Sequence, residues 1–234
     1  MGGGILSLKK IGHYHSGRVQ ESSNALYANG YSMEKNDVLV KKIYDEIFIE
    51  INRIVNVLPT ETVLDIGCGT GELLSRLSNI AKNVIGIDLS EEMVKLASQK
   101  KLNVILYNGG TLPFDKEKFD CIVVNYVFAN LPSLEIASHL IEEAHRVVTK
   151  NGRILISAIH HPGKTGMPTH AGNWRTHLKK LLGLQQPIHY YSYKYSFFLK
   201  EFDKLDFSQI SYFPCKIQHE SLRGKYHVLL KNWR

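Results

Sequence analysis

The sequence predicts an α/β protein with a doubly wound, mostly parallel sheet of seven strands. Three observations predict it. From residue 62 onward, short apolar runs alternate with helical patterns, the order that builds a parallel sheet covered by helices. The first of these runs ends in an acid and a glycine-rich turn, within VLDIGCGTGELL at residues 63–74. Two late strand-like runs, FSQISYFPC and YHVLLKNW, would close the sheet as an antiparallel hairpin.

The elements follow in order. Residues 1–34 have no strong period and are rich in Gly, Ser, Asn and Tyr, so an ordered but irregular arm or lid with a flexible start is expected. NDVLVKKIYDEIFIEINRIVNVLP places apolar residues at Val40, Ile43, Ile47, Ile51, Ile54, Val55 and Leu58, steps of three and four that predict an amphipathic helix ended before Pro59. TVLDIG, NVIGIDL, NVILYN, FDCIVVNY and NGRILISAI read as five strands. GELLSRLSNIA, SEEMVKLASQKK with Ser90 as its N-cap, and SLEIASHLIEEAHRVV read as the helices between them. SYKYSFFLKEFDKLDF adds a further helix before the last two strands. With no repeat and no low-complexity linker, the expected organisation is an arm and helical cap over residues 1–58 and one compact domain over 59–234, with 160–234 facing the substrate.

Composition narrows the class. A chain of 234 residues, 44% hydrophobic and 22% charged, buries a sizeable core without staples. No apolar run is long enough to span a bilayer, and MGGGILSLKKIG has too few apolar residues for a secretory signal, so a cytoplasmic location is expected. Cys68, Cys121 and Cys215 lie far apart with no metal-ligand spacing, so buried reduced thiols and no metal are expected. Residues 150–234 hold 14 Lys/Arg against 4 Asp/Glu, which points to a partner or substrate carrying negative charge, or to a solvated basic face.

The glycine turn raises a question of ligand. Gly67 can turn sharply, and Gly69 and Gly71 let a ligand and the next helix approach the backbone. Such crevices at the carboxyl ends of parallel strands bind ligands. A dinucleotide site needs G-x-G-x-x-G and puts a pyrophosphate at the helix start. Here the spacing is G-x-G-x-G, and Asp65 beside it would repel a pyrophosphate but suit a cationic ammonium group. Asp88, ending the second strand, stands where an acid grips a ribose diol. S-adenosylmethionine (SAM) carries both a ribose and an amino-acid end.

VLDIGCGTGELL, VIGIDLSEEMVKLA, LPFDKEKFDCIVVNYVFANL and EEAHRVVTKNGRILIS, in this order over residues 36–160, make the chain similar to class I SAM-dependent methyltransferases with a Rossmann-like sheet, closest to the small-molecule branch. The resemblance implies that Asp65, Gly67, Cys68 and Gly69 line the methionine end, Asp88 binds the ribose hydroxyls, and Leu89 packs on the adenine. In many relatives the acid of a G-D-A-x-x-L-P-F stretch contacts the adenine amine; YNGGTLPF puts Asn108 in its place, followed by Gly109, with Gly110 replacing a common acid. Asn108 would still accept from the amine, without charge assistance. Asn125 would face the amino acid or sulfonium, and Tyr27 and Tyr31 of the arm would close over the cofactor.

For the acceptor, AIHHPGKTGMPTHAGNW brings His160, His161 and His170 to the same edge of the sheet. His160 and His161 are the candidate general bases, needed only where the acceptor loses a proton early. His170, Tyr190, Tyr191 and Tyr193, with Tyr195, are candidates for an acceptor pocket. The expected activity is methyl transfer to a small molecule, acidic or phosphorylated, such as a sugar, an envelope precursor or an aromatic metabolite. A non-catalytic SAM-fold binding protein is the alternative. A nucleic-acid acceptor, as for a tRNA or rRNA methyltransferase, fits less well: strand four ends in NYVF rather than N-P-P-Y, and no appended RNA-binding module is present.

Overall fold

The computed structural model describes residues 8–9, 11–13, 16–17, 37–161, 192–219 and 222–232. In chain order the elements are α1 (Asp37–Val55), β1 (Thr62–Ile66), α2 (Glu72–Leu77), β2 (Asn83–Asp88), α3 (Glu91–Gln99), β3 (Val104–Leu106), β4 (Phe119–Asn125), α4 (Leu134–Val147), β5 (Val148–His160), α5 (Tyr195–Leu205), β6 (Gln209–Pro214) and β7 (Lys225–Lys231). The strands form one seven-stranded sheet in the order β3-β2-β1-β4-β5-β7-β6. Only β7 runs against its neighbours, pairing antiparallel with both β5 and β6.

Alternation along the strands divides the core between two faces. Leu64, Ile66, Ile122, Val124, Ile154 and Ile156 pack with Ala137, Ile141 and Ala144 of α4 and Phe198 of α5. Val63, Cys121, Val123 and Leu155 face the other way, under Ile43, Ile47, Ile51 and Val55 of α1 and Leu73, Leu74 and Leu77 of α2. The stripe read in the sequence is thus the buried side of α1. That helix stops at Val55: Asn56 turns left-handed (φ 50°), and the Asn52 side chain accepts from the Val57 amide at 3.0 Å. α3 and α4 start on side-chain caps, with Ser90 accepting from the Met93 amide and Ser133 from the Ile136 amide, both at 3.3 Å.

The elements differ from the sequence reading mainly in extent. β5 begins at Val148, three residues before the expected start, and α2 is a short six-residue helix. The arm also departs from the irregular form expected, because residues 8–9, 11–13 and 16–17 have helical backbone. Among the described residues no helix is long and apolar enough to cross a membrane.

What positions the site is the reversal of strand order at β1. The chain moves outward from β1 to β2 and β3, then returns to lay β4 on the opposite side of β1. The crossovers leave a crevice beyond the carboxyl ends of β1, β2 and β4. At the opposite end of these strands Arg153 locks the layers together. Its guanidinium makes a bidentate pair with Glu61 at 2.7 and 2.8 Å and donates to the Asn56 carbonyl at 3.0 Å just beyond α1. Both side chains of the pair are only 12% exposed. Replacing Arg153 by Ala strands a buried carboxylate and the carbonyls of Val55, Asn56 and Asp120, so urea unfolding of Arg153→Ala is expected to show a loss of about 3 kcal/mol. Arg153→Lys is expected to recover less than half of it, because an ammonium cannot reproduce the fork.

Candidate active site

The carboxyl ends of three strands build one cleft of about 1090 Å³, its open mouth included. Asp65 comes from β1, Gly67, Cys68 and Gly69 from the turn after it, Asp88 and Leu89 from the end of β2, and Asn125 from β4. The turn needs its first glycine twice over. Gly67 has φ +76°, and a Cβ there would lie 2.3 Å from a methyl of Val127.

Asp88 holds the turn in place. One of its oxygens accepts from the Gly69 amide and the other from the Ser90 amide, each at 2.9 Å. The carboxylate therefore spans the glycine turn and the start of α3, while the Gly67 and Cys68 amides donate to the Ile87 carbonyl at 2.8 and 3.1 Å. A carboxylate oxygen accepts more than one bond, so clamping the backbone and gripping a diol are compatible.

Asp65 is in the opposite situation. It is 1% exposed, and its Oδ2 has no hydrogen-bond partner among the described residues. Burial, helped by the nearby charge of Asp88, pushes its carboxyl up to about 7. The same burial, with the charges of Asp88 and Asp65, pushes the Cys68 thiol well above its usual range and keeps it protonated.

After Asn125 the chain turns abruptly. Tyr126 has φ 60°, unusual for a bulky residue. It is held there because its amide donates to the Ser157 carbonyl at 3.1 Å and its own carbonyl accepts from Asn130 Nδ2 at 3.1 Å. Tyr126 and Asn130 both line the cleft. The arm supplies another part of the wall. Leu8 and Ile11 line the cleft, Leu8 sits where a Cβ on Gly109 (φ +86°) would be 2.7 Å away, and Ser16 Oγ lies 2.9 Å from Ser90 Oγ.

The structure separates the remaining candidates. Gly109 lines the cleft, but Asn108 does not: its side chain accepts from the Gly110 amide at 3.1 Å and so shapes its own turn. His160 is 3% exposed and lies behind Tyr126, with ring centroids 6.0 Å apart. Burial, then the neighbouring Lys225, pushes the His160 imidazole down to about 3, which makes it a weak base outside the cleft wall. Tyr193 is 1% exposed and packs edge-on against Phe128 in the core, because the apolar face of α5 draws it inward. His161 is partly exposed beside Tyr226, and Tyr195 packs on Tyr212. Tyr27, Tyr31, His170, Tyr190 and Tyr191 lie outside the described residues.

Sequence reasoning missed Leu8, Ile11, Tyr44, Tyr126 and His139, all of which line the cleft. The apolar spacing of Leu8 and Ile11 in ILSLKKIG was the available signal for the arm. Tyr44 and His139 lie on α1 and α4, whose helical patterns carry no mark of a ligand.

Asp65 gives a testable pH dependence. Its folded-state value, about 7, lies above the ordinary 3.8. Its favourable contribution to stability is therefore complete below pH 3.8 and is lost as pH rises through about 7. Without ligand at about pH 8, Asp65→Asn is expected to be more stable than wild type by ~2–4 kcal/mol, and the two are expected to converge near pH 4. Chemical unfolding across that pH range measures the difference.

Comparison with known proteins agrees with this architecture. A family model described as "Methyltransferase domain" matches residues 64–156, the stretch from β1 to β5 that builds the cleft. An uncharacterised protein of Methanocaldococcus jannaschii is 35% identical over 135 residues, covering 57% of this chain and 59% of that protein. A demethylmenaquinone methyltransferase of Oceanobacillus iheyensis is 29% identical over 147 residues, covering 58% of this chain and 53% of the relative. The chain thus spans between half and three-fifths of the length of these two relatives. A crystal structure from Thermotoga maritima, described as a SAM-dependent methyltransferase and possible histamine N-methyltransferase, superposes with a TM-score of 0.60 at 16% identity, covering 95% of this chain and 99% of the other. The matched segment thus makes residues 64–156 similar to a methyltransferase domain, and the strand order with the Thermotoga superposition gives the chain the Rossmann-like fold of class I SAM-dependent methyltransferases.

Proposed function

We propose that the cleft binds SAM and that the protein transfers its methyl group to a small-molecule acceptor. The observation that carries this reading is the buried Asp65 oxygen without a hydrogen-bond partner, set in the same cleft as the clamped Asp88. An uncompensated buried carboxylate is costly, and an ammonium group is what would relieve it. Asp65 would hold the amino-acid end, Asp88 the ribose hydroxyls, and Leu89 the adenine, with Gly109 and Leu8 beside it. Asn125 would face the amino-acid or sulfonium end.

When bound, the cofactor supplies an electrophilic methyl group on a sulfonium. The protein's part is to orient the acceptor for in-line attack and to exclude water. Leu131, Ile136 and Leu140 give the cleft an apolar wall that suits both tasks and favours an acceptor with an apolar body. The relatives named as demethylmenaquinone methyltransferases fit an acceptor of that kind. An anionic end on the acceptor is supported by charge alone: Lys164, Arg175, Lys179 and Lys180 follow β5, outside the described residues. For an acceptor that must lose a proton, His161 and the cleft-lining His139 are the candidate bases.

Calorimetric titration with S-adenosylhomocysteine tests the cofactor site. Wild type is expected to bind in the micromolar range and Asp88→Ala at least ~30-fold more weakly, a loss of about 2 kcal/mol. Because Asp65 must be ionised to pair with an ammonium, affinity is also expected to rise between about pH 5.5 and about pH 8 and to be flat in Asp65→Asn. A folded wild type that takes up no ligand at any pH would sink the reading.

A further inference from the structure

A second cluster of chemically competent side chains lies on the sheet face under α1. Glu50 of α1, Cys215 just after β6 and His227 of β7 each offer one ligand atom, and the three atoms lie within 4.8 Å of one another. None of the three lines the cofactor cleft. Glu50 and His227 are 6% and 2% exposed, so two ionisable groups sit in a dry interior.

Each group is already aimed from behind. Glu50 Oε1 accepts from the Lys216 amide at 3.0 Å. His227 Nδ1 lies 2.8 Å from Ser157 Oγ, which turns Nε2 toward Glu50 and Cys215. Such outer contacts are how metal-binding histidines are fixed in orientation and tautomer. The inner side is unfinished. His227 Nε2 approaches Glu50 Oε1 to 3.3 Å but is not aligned for a hydrogen bond, and it has no hydrogen-bond partner among the described residues. Cys215 is anchored through its backbone, its amide donating to the Lys225 carbonyl at 2.9 Å.

We infer that Glu50, Cys215 and His227 form a site for a divalent ion of the zinc class. One oxygen, one sulfur and one imidazole nitrogen suit a borderline-soft ion and disfavour magnesium or calcium, which require oxygen. Around zinc such atoms stand about 3.4–3.6 Å apart, so side-chain shifts of ~1 Å complete the geometry. The carboxylate and the thiolate together balance the ion's two charges. Binding takes the proton from the Cys215 thiol and releases it to solvent, forming a metal–sulfur bond. Binding through Nε2 puts the His227 proton on Nδ1, donated to Ser157 Oγ, in place of the 3.4 Å contact in which Nδ1 accepts from the Ala158 amide.

The neighbouring Lys225 Nζ has no hydrogen-bond partner among the described residues and lies 3.7 Å over the Tyr126 ring. The ion would join α1, the β6–β7 hairpin and, through Ser157, the bend of β5 that supports Tyr126.

Cobalt titration of the full chain, stripped with chelator and kept reduced, tests the site independently of SAM binding. One equivalent of Co²⁺ is expected to bind with a thiolate-to-cobalt charge-transfer band and strong four-coordinate visible bands. Zinc is expected to displace it, and about one proton is expected to be released per ion at neutral pH. Cys215→Ser is expected to abolish the charge-transfer band while keeping the wild-type circular dichroism spectrum, and Glu50→Gln to weaken binding at least ~10-fold. A folded wild type showing only the spectrum of hydrated cobalt overturns the inference. So does a charge-transfer band that persists in Cys215→Ser, or undiminished affinity in Glu50→Gln.

Discussion

The cleft depends on a single carboxylate that serves two pieces of backbone at once. Asp88 accepts from the amides of Gly69 and Ser90, and so fixes the distance between the turn after β1 and the start of α3. Parallel strands reach this end of the sheet with unpaired backbone groups, and short loops alone do not place them accurately. The acid does so through two charge-assisted hydrogen bonds, in a position where it also lines the cleft. The crossed strand order around β1 opens the crevice, and Asp88 gives it a defined shape.

Asp65, two positions before the turn begins, works against folding in the absence of ligand. It lies on a strand where Val63, Leu64 and Ile66 are apolar and buried, and it lacks the amides that compensate Asp88. Sites that bind charged groups commonly hold such local conflicts, which the rest of the core tolerates. Here the tolerance comes from two well-filled sheet faces and from the Arg153–Glu61 lock at the far end of the strands. Tyr126 adds a smaller strain of the same kind, held by Ser157 and Asn130.

The fold was readable because its signals are local. Strand and helix periods, the Ser90 cap and the glycine turn each occupy a few consecutive residues. Asp65, the turn and Asp88 were legible for the same reason. His160 was misplaced because two adjacent histidines at a strand end do not show which faces the cleft; the pairing of His160 with Lys225 buries it. Asn108 was misplaced because an alternative partner, the Gly110 amide, lies two residues away. Leu8 and Ile11 reach the cleft because Leu8 packs on Gly109 and the adjoining Gly12 lies against Leu89, some 80 to 100 residues downstream, which no window reveals. The Glu50–Cys215–His227 cluster is likewise invisible to spacing rules, since its members come from opposite ends of the chain.

The two outer strands decide how the sheet ends. β3 pairs over only three residues, and β6 closes with Pro214, which has no amide to donate. Leu106 and Tyr212 are exposed on these strands, and such side chains on a long flat border would recruit a strand from another chain. A truncated border on one side and a proline-terminated one on the other leave little template for such pairing. A sheet with an apolar surface on both faces can therefore stop at seven strands without growing into an aggregate.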